Sequence, residues 1–172
     1  MNITDTIAFF ALLTSFFALF FSCFVYFKDK KRNNQDQLFQ EKLASYKELL
    51  YLAYTAHEKF FDLVDYVQSF NGDEDQWEKK YLKISGSYFG LAFEFKYALL
   101  KSSFIIPKEI LEEINELEFA LTHFVTSVHH RSVEITSIAY DALAERIENI
   151  ENLIRKDLSI DNLNIGLNKR IK

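Results

Sequence analysis

One cysteine, one proline, one tryptophan and four glycines are spread through 172 residues, and each scarcity removes a class of function. The lone thiol, Cys23, lies inside an apolar run, so the chain has no disulfide framework and no thiolate metal site. A reducing compartment fits. Four glycines make a phosphate-cradling loop hard to build, and no GxGxxG, P-loop, GxSxG or HxE…PCxxC pattern occurs. Carboxylates are plentiful, but the run from Glu109 to Glu118 reads as a solvated helix face. The chain is therefore expected not to be an enzyme and to need no cofactor. Positive charge is also short. Setting aside Lys28, Lys30, Lys31 and Arg32 from the 20 basic residues, and Asp5 and Asp29 from the 25 acidic ones, leaves 16 against 23. Such a surface substitutes poorly for counterions, so duplex nucleic acid is not an expected partner.

What is present in abundance is apolar sequence near the N-terminus. Residues 7–27, IAFFALLTSFFALFFSCFVYF, include only Thr14, Ser15 and Ser22 as polar residues. At ~1.5 Å rise per residue a helix of this length spans roughly 30 Å, the thickness of a hydrocarbon core. A cleaved signal peptide is the competing reading, but MNITDT carries no positive charge and the apolar stretch exceeds an ordinary h-region. The basic cluster KDKKR follows directly, and Lys/Arg excess marks the cytoplasmic side. The expectation is a single-pass inner-membrane protein with its N-terminus outside and its remaining domain cytoplasmic. Thr4, Ala8, Ala11, Ser15, Ala18 and Ser22 recur at alternating intervals of four and three. Small residues in that pattern allow close backbone approach between spans, which predicts a homo-oligomer seam. Chance alignment of tolerated small residues is the other reading.

Beyond the span the chain is patterned for helices throughout. Phe39, Leu43, Tyr46, Leu50, Ala53, His57, Phe60, Val64 and Val67 continue the heptad phase of the span, and there is neither Gly nor Pro from Ile7 to Phe70. One continuous helix is conceivable. A break at Asn33 and Asn34, with Asn34 capping a separate or kinked helix over 35–70, is the favoured expectation. Asn71-Gly72-Asp73 ends that element. A helix over 75–101 follows, with Trp77, Tyr81, Ile84, Tyr88, Leu91, Phe95 and Ala98 inward. Gly86 and Gly90 interrupt it, and a glycine pair four apart suggests close approach by a neighbouring helix. Pro107 opens the next helix, with Ile110, Ile114, Leu117, Leu121, Phe124 and Val128 buried. SVHHRS at 127–132 marks a bend. A last helix over 133–158 turns Ile135, Ile138, Ala142, Ile147, Ile150 and Ile154 inward. The predicted fold class is all-α: a transmembrane anchor over 1–33, an antiparallel bundle of about four helices over 34–158, and a mobile tail over 159–172.

The histidines are the first place to look for chemistry. His123, His129 and His130 lack HExxH spacing and a placed carboxylate, so no metal site is expected. His57 reads as a satisfied core or interface residue. His129, His130 and Arg131 at a helix end are a candidate phosphate site, since Arg and imidazole make charge-assisted hydrogen bonds to phosphate oxygens. A solvated helix terminus, where the dipole favours cations, is the more frequent explanation of such a cluster. Tyr51, Tyr54, Phe61, Tyr66, Tyr88, Phe89, Phe93 and Tyr97 exceed what the buried stripes require, and Lys79, Lys80, Lys83 and Lys96 lie among them. Stacking aromatics with lysines suit a small nucleotide-like ligand at an oligomer interface. Filling of a wide core is the alternative. The candidate ligand-binding set is His129, His130, Arg131 and Lys96.

The order of parts, an N-terminal span, the basic stop KDKKR and a helical domain ending in IENIENLIRKDL, resembles the membrane-bound ancillary effectors of type III CRISPR systems. The resemblance lies in the layout of the whole chain and carries no ligand residues over. It implies antiviral defence, in which the soluble domain binds a cyclic oligonucleotide, cyclic tetra-adenylate, and the protein damages the membrane. Two readings stay open. One is an oligomeric, ligand-gated membrane effector; the other is a non-catalytic tether or scaffold that docks a protein partner.

Overall fold

A computed structural model describes the backbone of residues 3–160 and the side chains of residues 12–160. Among them the fold is all-α, without strands: α1 (Ile3–Ser69), α2 (Glu74–Ser102), α3 (Lys108–Val128) and α4 (Val133–Asp157). The expected tail lies outside the described residues from 161 onward. The chain divides into two compact units, Met1–Gln40 and Glu41–Lys172, and α1 contributes to both.

The first unit holds one helix long and apolar enough to cross a membrane, near the N-terminus. Every side chain from Leu12 to Phe27 is exposed. Asn33 and Asn34 are helical, so the interruption expected there is absent. Two asparagines cost only up to ~0.7 kcal/mol each in a helix, far less than the Gly or Pro that would stop one. Arg32 and Asp36, 4.0 Å apart across one turn, bracket the pair.

The second unit has one apolar core, built from Tyr46 to Val67 of α1 and from the inner stripes of α2, α3 and α4. Its α3 is as expected: Ile110, Ile114, Leu117, Leu121, Phe124 and Val128 are all buried. Pro107 is the cap before α3 rather than its first residue. In α2, Trp77, Tyr81, Phe95 and Ala98 are buried, while Ile84, Tyr88 and Leu91 pack against the core from its rim. The start of α4 departs from expectation. Ile135 and Ile138 are exposed by 54% and 63%, Ala142 is exposed, and Thr136 is fully buried instead. Burial of Thr136 is tolerated because its hydroxyl donates to the Ser132 carbonyl at 2.7 Å.

Cross-helix contacts order the elements. Lys42 and Tyr46 reach Asp157, Tyr54 reaches Glu151 and His57 meets Tyr140, so rising numbers in α1 meet falling numbers in α4. The same reversal relates α1 to α2, through Glu48 with Lys101, Phe60 with Tyr88 and Tyr66 with Lys80. Tyr81 with Val125 and Lys96 with Glu118 relate α2 to α3, and Glu116 with Arg146 relates α3 to α4. Phe60 and Phe124 stack across the middle, ring centroids 4.9 Å apart.

Candidate functional site

Two short turns meet at one end of the second unit and build its principal groove. After α1, Asp73 caps α2 by accepting the Gln76 amide at 2.8 Å, with Glu74 and Asp75 in the first turn. After α3, Ser132 caps α4 by accepting the Ile135 amide. Between those caps the chain passes Arg131 in the left-handed region, at φ 52°. A non-glycine residue there costs of order 1 kcal/mol, so something local must hold it.

What holds it is the guanidinium. Arg131 donates from Nη1 to the Gly72 carbonyl at 2.9 Å and from Nη2 to the Phe70 carbonyl, and its carbon lies 4.9 Å from the Phe70 ring centroid. Two carbonyls of the α1–α2 turn are thereby satisfied by a side chain some sixty residues later. Phe70 in turn meets Trp77 edge-on at 5.2 Å, and the Trp77 indole donates to the His129 carbonyl at 2.9 Å. Tyr81, one helical turn on, donates to the Val125 carbonyl at 3.0 Å. A side chain at Gly72 is disfavoured at this junction, because a Cβ there would fall 2.5 Å from side-chain atoms of both Phe70 and Gln76, which would have to shift.

The resulting groove, of about 560 Å³, is lined by Glu74, Trp77, Glu78, His129, His130 and Arg131. His129, His130 and Arg131 are thus brought together as expected from their adjacency. Lys96 is not: it sits nineteen residues beyond Trp77 on α2, about 28 Å along the axis, and pairs with Glu118 at 3.2 Å. The groove balances two carboxylates against one guanidinium that is already engaged by two carbonyls. Acid residues beside the histidines are what the sequence reading missed; Glu74 and Glu78 share a face of α2 with Trp77, but only the fold sets that face against the α3–α4 turn.

The remaining candidates fall elsewhere. His57 is stacked on Tyr140, with Nδ1 3.4 Å from the Tyr140 hydroxyl, and its buried Nε2 has no hydrogen-bond partner among the described residues, so the core as described satisfies only one of its two nitrogens. His123 is exposed and stacks on Phe119 at 5.9 Å. No group of three or more His, Cys, Asp or Glu residues suited to a metal occurs among the described residues. Of the span's seam residues, Ser15, Ala18 and Ser22 are exposed on α1, while the side chains of Ala8 and Ala11 lie outside the described residues. Six of the eight surplus aromatics, Tyr51, Tyr54, Phe61, Tyr66, Phe93 and Tyr97, are exposed, and only Tyr88 and Phe89 pack against the core. Core filling does not account for the six.

Gly86 and Gly90 also differ from expectation. Apart from the adjoining turns of α2 itself, no atom of the described residues comes within 4 Å of the position a Cβ would take at either one. They open outward, on the face of α2 that carries Leu82, Phe93, Tyr97 and Leu100.

Comparison with family models, with curated proteins and with solved structures finds no match to this chain.

Proposed function

We propose that this chain is a single-span membrane protein that works by binding: an anchor over residues 7–27 and, on the Lys/Arg-marked cytoplasmic side, an antiparallel four-helix bundle that docks protein. The observation that carries the reading is bare apolar surface in both units. Phe16, Phe17, Phe20, Phe21 and Phe24 are exposed in the first unit, and lipid is the solvent that suits such a run. Leu82, Phe93, Tyr97 and Leu100 are exposed in the second, and protein is the cover that suits a stripe on a helix otherwise packed in a core. Reversed residue numbering supports the bundle, between α1 and α4, α1 and α2, α2 and α3, and, through Glu116 with Arg146 and Phe124 with Tyr140, α3 and α4.

The effector reading rests on a different observation, that His129, His130 and Arg131 line one groove with Trp77. In it, the protein is an antiviral effector that oligomerises through Ala8, Ala11, Ser15, Ala18 and Ser22 and answers a cyclic oligoadenylate. Glu74 and Glu78 count against it, since carboxylates in the lining repel phosphate.

Thermal shift of the detergent-solubilised full chain with cyclic tetra-adenylate and other cyclic nucleotides separates the two. The docking reading predicts no shift with any of them. A saturable shift that is lost in His130→Ala combined with Arg131→Ala contradicts it and supports the effector.

A further inference from the structure

Two glycines inside a helix destabilise it by up to ~1 kcal/mol each relative to alanine. In most helices a close neighbour or a turn explains such residues. Gly86 and Gly90 have neither: their prospective Cβ positions meet nothing within 4 Å, and no described glycine has positive φ. At 100° per residue, Leu82, Gly86, Gly90, Phe93, Tyr97 and Leu100 fall within an arc of roughly 80°, so the notch is centred on an apolar stripe. Phe104, just beyond the helix, extends it.

The stripe is large enough to matter. Leu82, Phe93, Tyr97, Leu100 and Phe104 are 51–81% exposed. At roughly 150–250 Å² for each large side chain they present roughly 700 Å², against the ~800 Å² that each partner contributes to a standard stable interface. The surface therefore suits an interface rather than a scatter of tolerated apolar residues.

We infer that the occupant is a second copy of this chain, with the two α2 helices crossing antiparallel about a two-fold axis between Gly86 and Gly90. Two features choose this partner. One face carries both the notch and the flanking bulk, so a two-fold sets notch against notch and lets the backbones approach, while Phe93 and Tyr97 of each copy cover the other copy near Lys83 and Lys79. Charge then chooses the direction. Lys83 and Glu94 lie on the same flank of the stripe, are exposed, and make no ion pair among the described residues. Antiparallel crossing sets like flanks together and brings Lys83 of each copy beside Glu94 of its partner, twice by symmetry; parallel crossing sets this flank against the opposite one and makes neither pair. The inference rests on the docking reading above and names its partner.

The test is disulfide trapping in the full chain, in membranes, with Cys23→Ser as background. Within one α2, residues 83 and 94 are about 16 Å apart along the axis, too far to bond. Lys83→Cys combined with Glu94→Cys should give a covalent dimer on mild oxidation, in a yield at least several-fold above either single variant. Adding Gly86→Gln and Gly90→Gln should reduce that yield several-fold while leaving the melting temperature equal or higher, because glutamine is the better helix former and no chain atom obstructs it. An equal yield from Lys83→Cys alone, or no dimer from the pair, overturns the proposal. In that event a stoichiometric partner of different sequence on the purified chain leaves the docking reading standing, and a chain that is monomeric and partnerless removes both.

Discussion

The imidazole of His57 lies nearly flat on the ring of Tyr140, with centroids 4.2 Å apart, planes 17° apart, and Nδ1 3.4 Å from the phenol oxygen. Its other nitrogen is buried without a hydrogen-bond partner among the described residues. Burial holds the imidazole's pKa below its ordinary 6.5, and the nearby Asp141 carboxylate only partly offsets this. In the unfolded chain the group takes its proton near pH 6.5; in the fold it does so lower down. Its contribution to stability is therefore complete above pH 6.5 and is lost as pH falls from there toward the folded-state pKa.

The expected outcome is a melting temperature that drops between pH 7.5 and 5.5, with part of that drop absent in His57→Phe. Thermal melts of both proteins across that window check it. Identical pH slopes would show that folding leaves the imidazole's proton affinity unchanged, and a larger drop in His57→Phe that folding raises it.

Asp157 joins the last turn of α4 to α1, accepting from Lys42 Nζ at 2.7 Å and from the Tyr46 hydroxyl at 2.8 Å. Burial first, then that hydrogen bond, then the Asp157 charge push the Tyr46 hydroxyl well above its usual pKa of 10. Tyr46→Phe is expected to cost about 1.5–3 kcal/mol at pH 7, the range for a hydrogen bond to a charged group. The sign at high pH is opposite to that of His57: this contribution is complete below pH 10 and lost as pH rises past it. Denaturant melts at pH 7 and pH 10.5 should therefore show the gap between wild type and Tyr46→Phe narrowing.

Arg131 does two things at once, and substitutions separate them. Arg131→Ala removes two donors to the end of α1 and keeps the left-handed backbone, so a loss of about 2–3 kcal/mol is expected. Arg131→Gly removes the same donors but relieves the backbone, and should be the milder change by about 1 kcal/mol. If the two variants melt alike, φ at this position is not what the fold shows.

Gly72→Ala should be as damaging as loss of Arg131, by about 1–3 kcal/mol, because its Cβ would strike the Phe70 ring held between Arg131 and Trp77. Gly86→Ala, in contrast, meets no such neighbour within one copy and should stabilise the detergent-dispersed monomer by up to ~1 kcal/mol. Comparing the two melting temperatures tests whether the glycines differ as the geometry says.

The sequence makes helices legible wherever one face alone is apolar. In α3 the spacing from Ile110 to Val128 admits a single buried side, and that side is the one observed. Ile135-Thr136-Ser137-Ile138-Ala139 is ambiguous, because aliphatic groups point both ways; packing chose the turn face on which Thr136 satisfies its hydroxyl locally. Adjacency put His129, His130 and Arg131 at one turn. Engagement of Arg131 by Phe70 and Gly72, and the placement of Glu74 and Glu78 opposite, depend on residues more than fifty positions away and leave no local signal. Gly86 and Gly90 show the same limit. Their spacing suggested a close neighbour, but only the fold shows that the described residues of the chain supply none.

The central claim is one membrane crossing with the folded unit on the side marked by Lys28, Lys30, Lys31 and Arg32. Cysteine accessibility tests it most directly. In a Cys23→Ser background, a membrane-impermeant maleimide is applied to intact cells and to lysed cells carrying either Asn2→Cys or Ser69→Cys. The account predicts that Asn2→Cys reacts in intact cells and Ser69→Cys only after lysis. Labelling of Ser69→Cys in intact cells would contradict it.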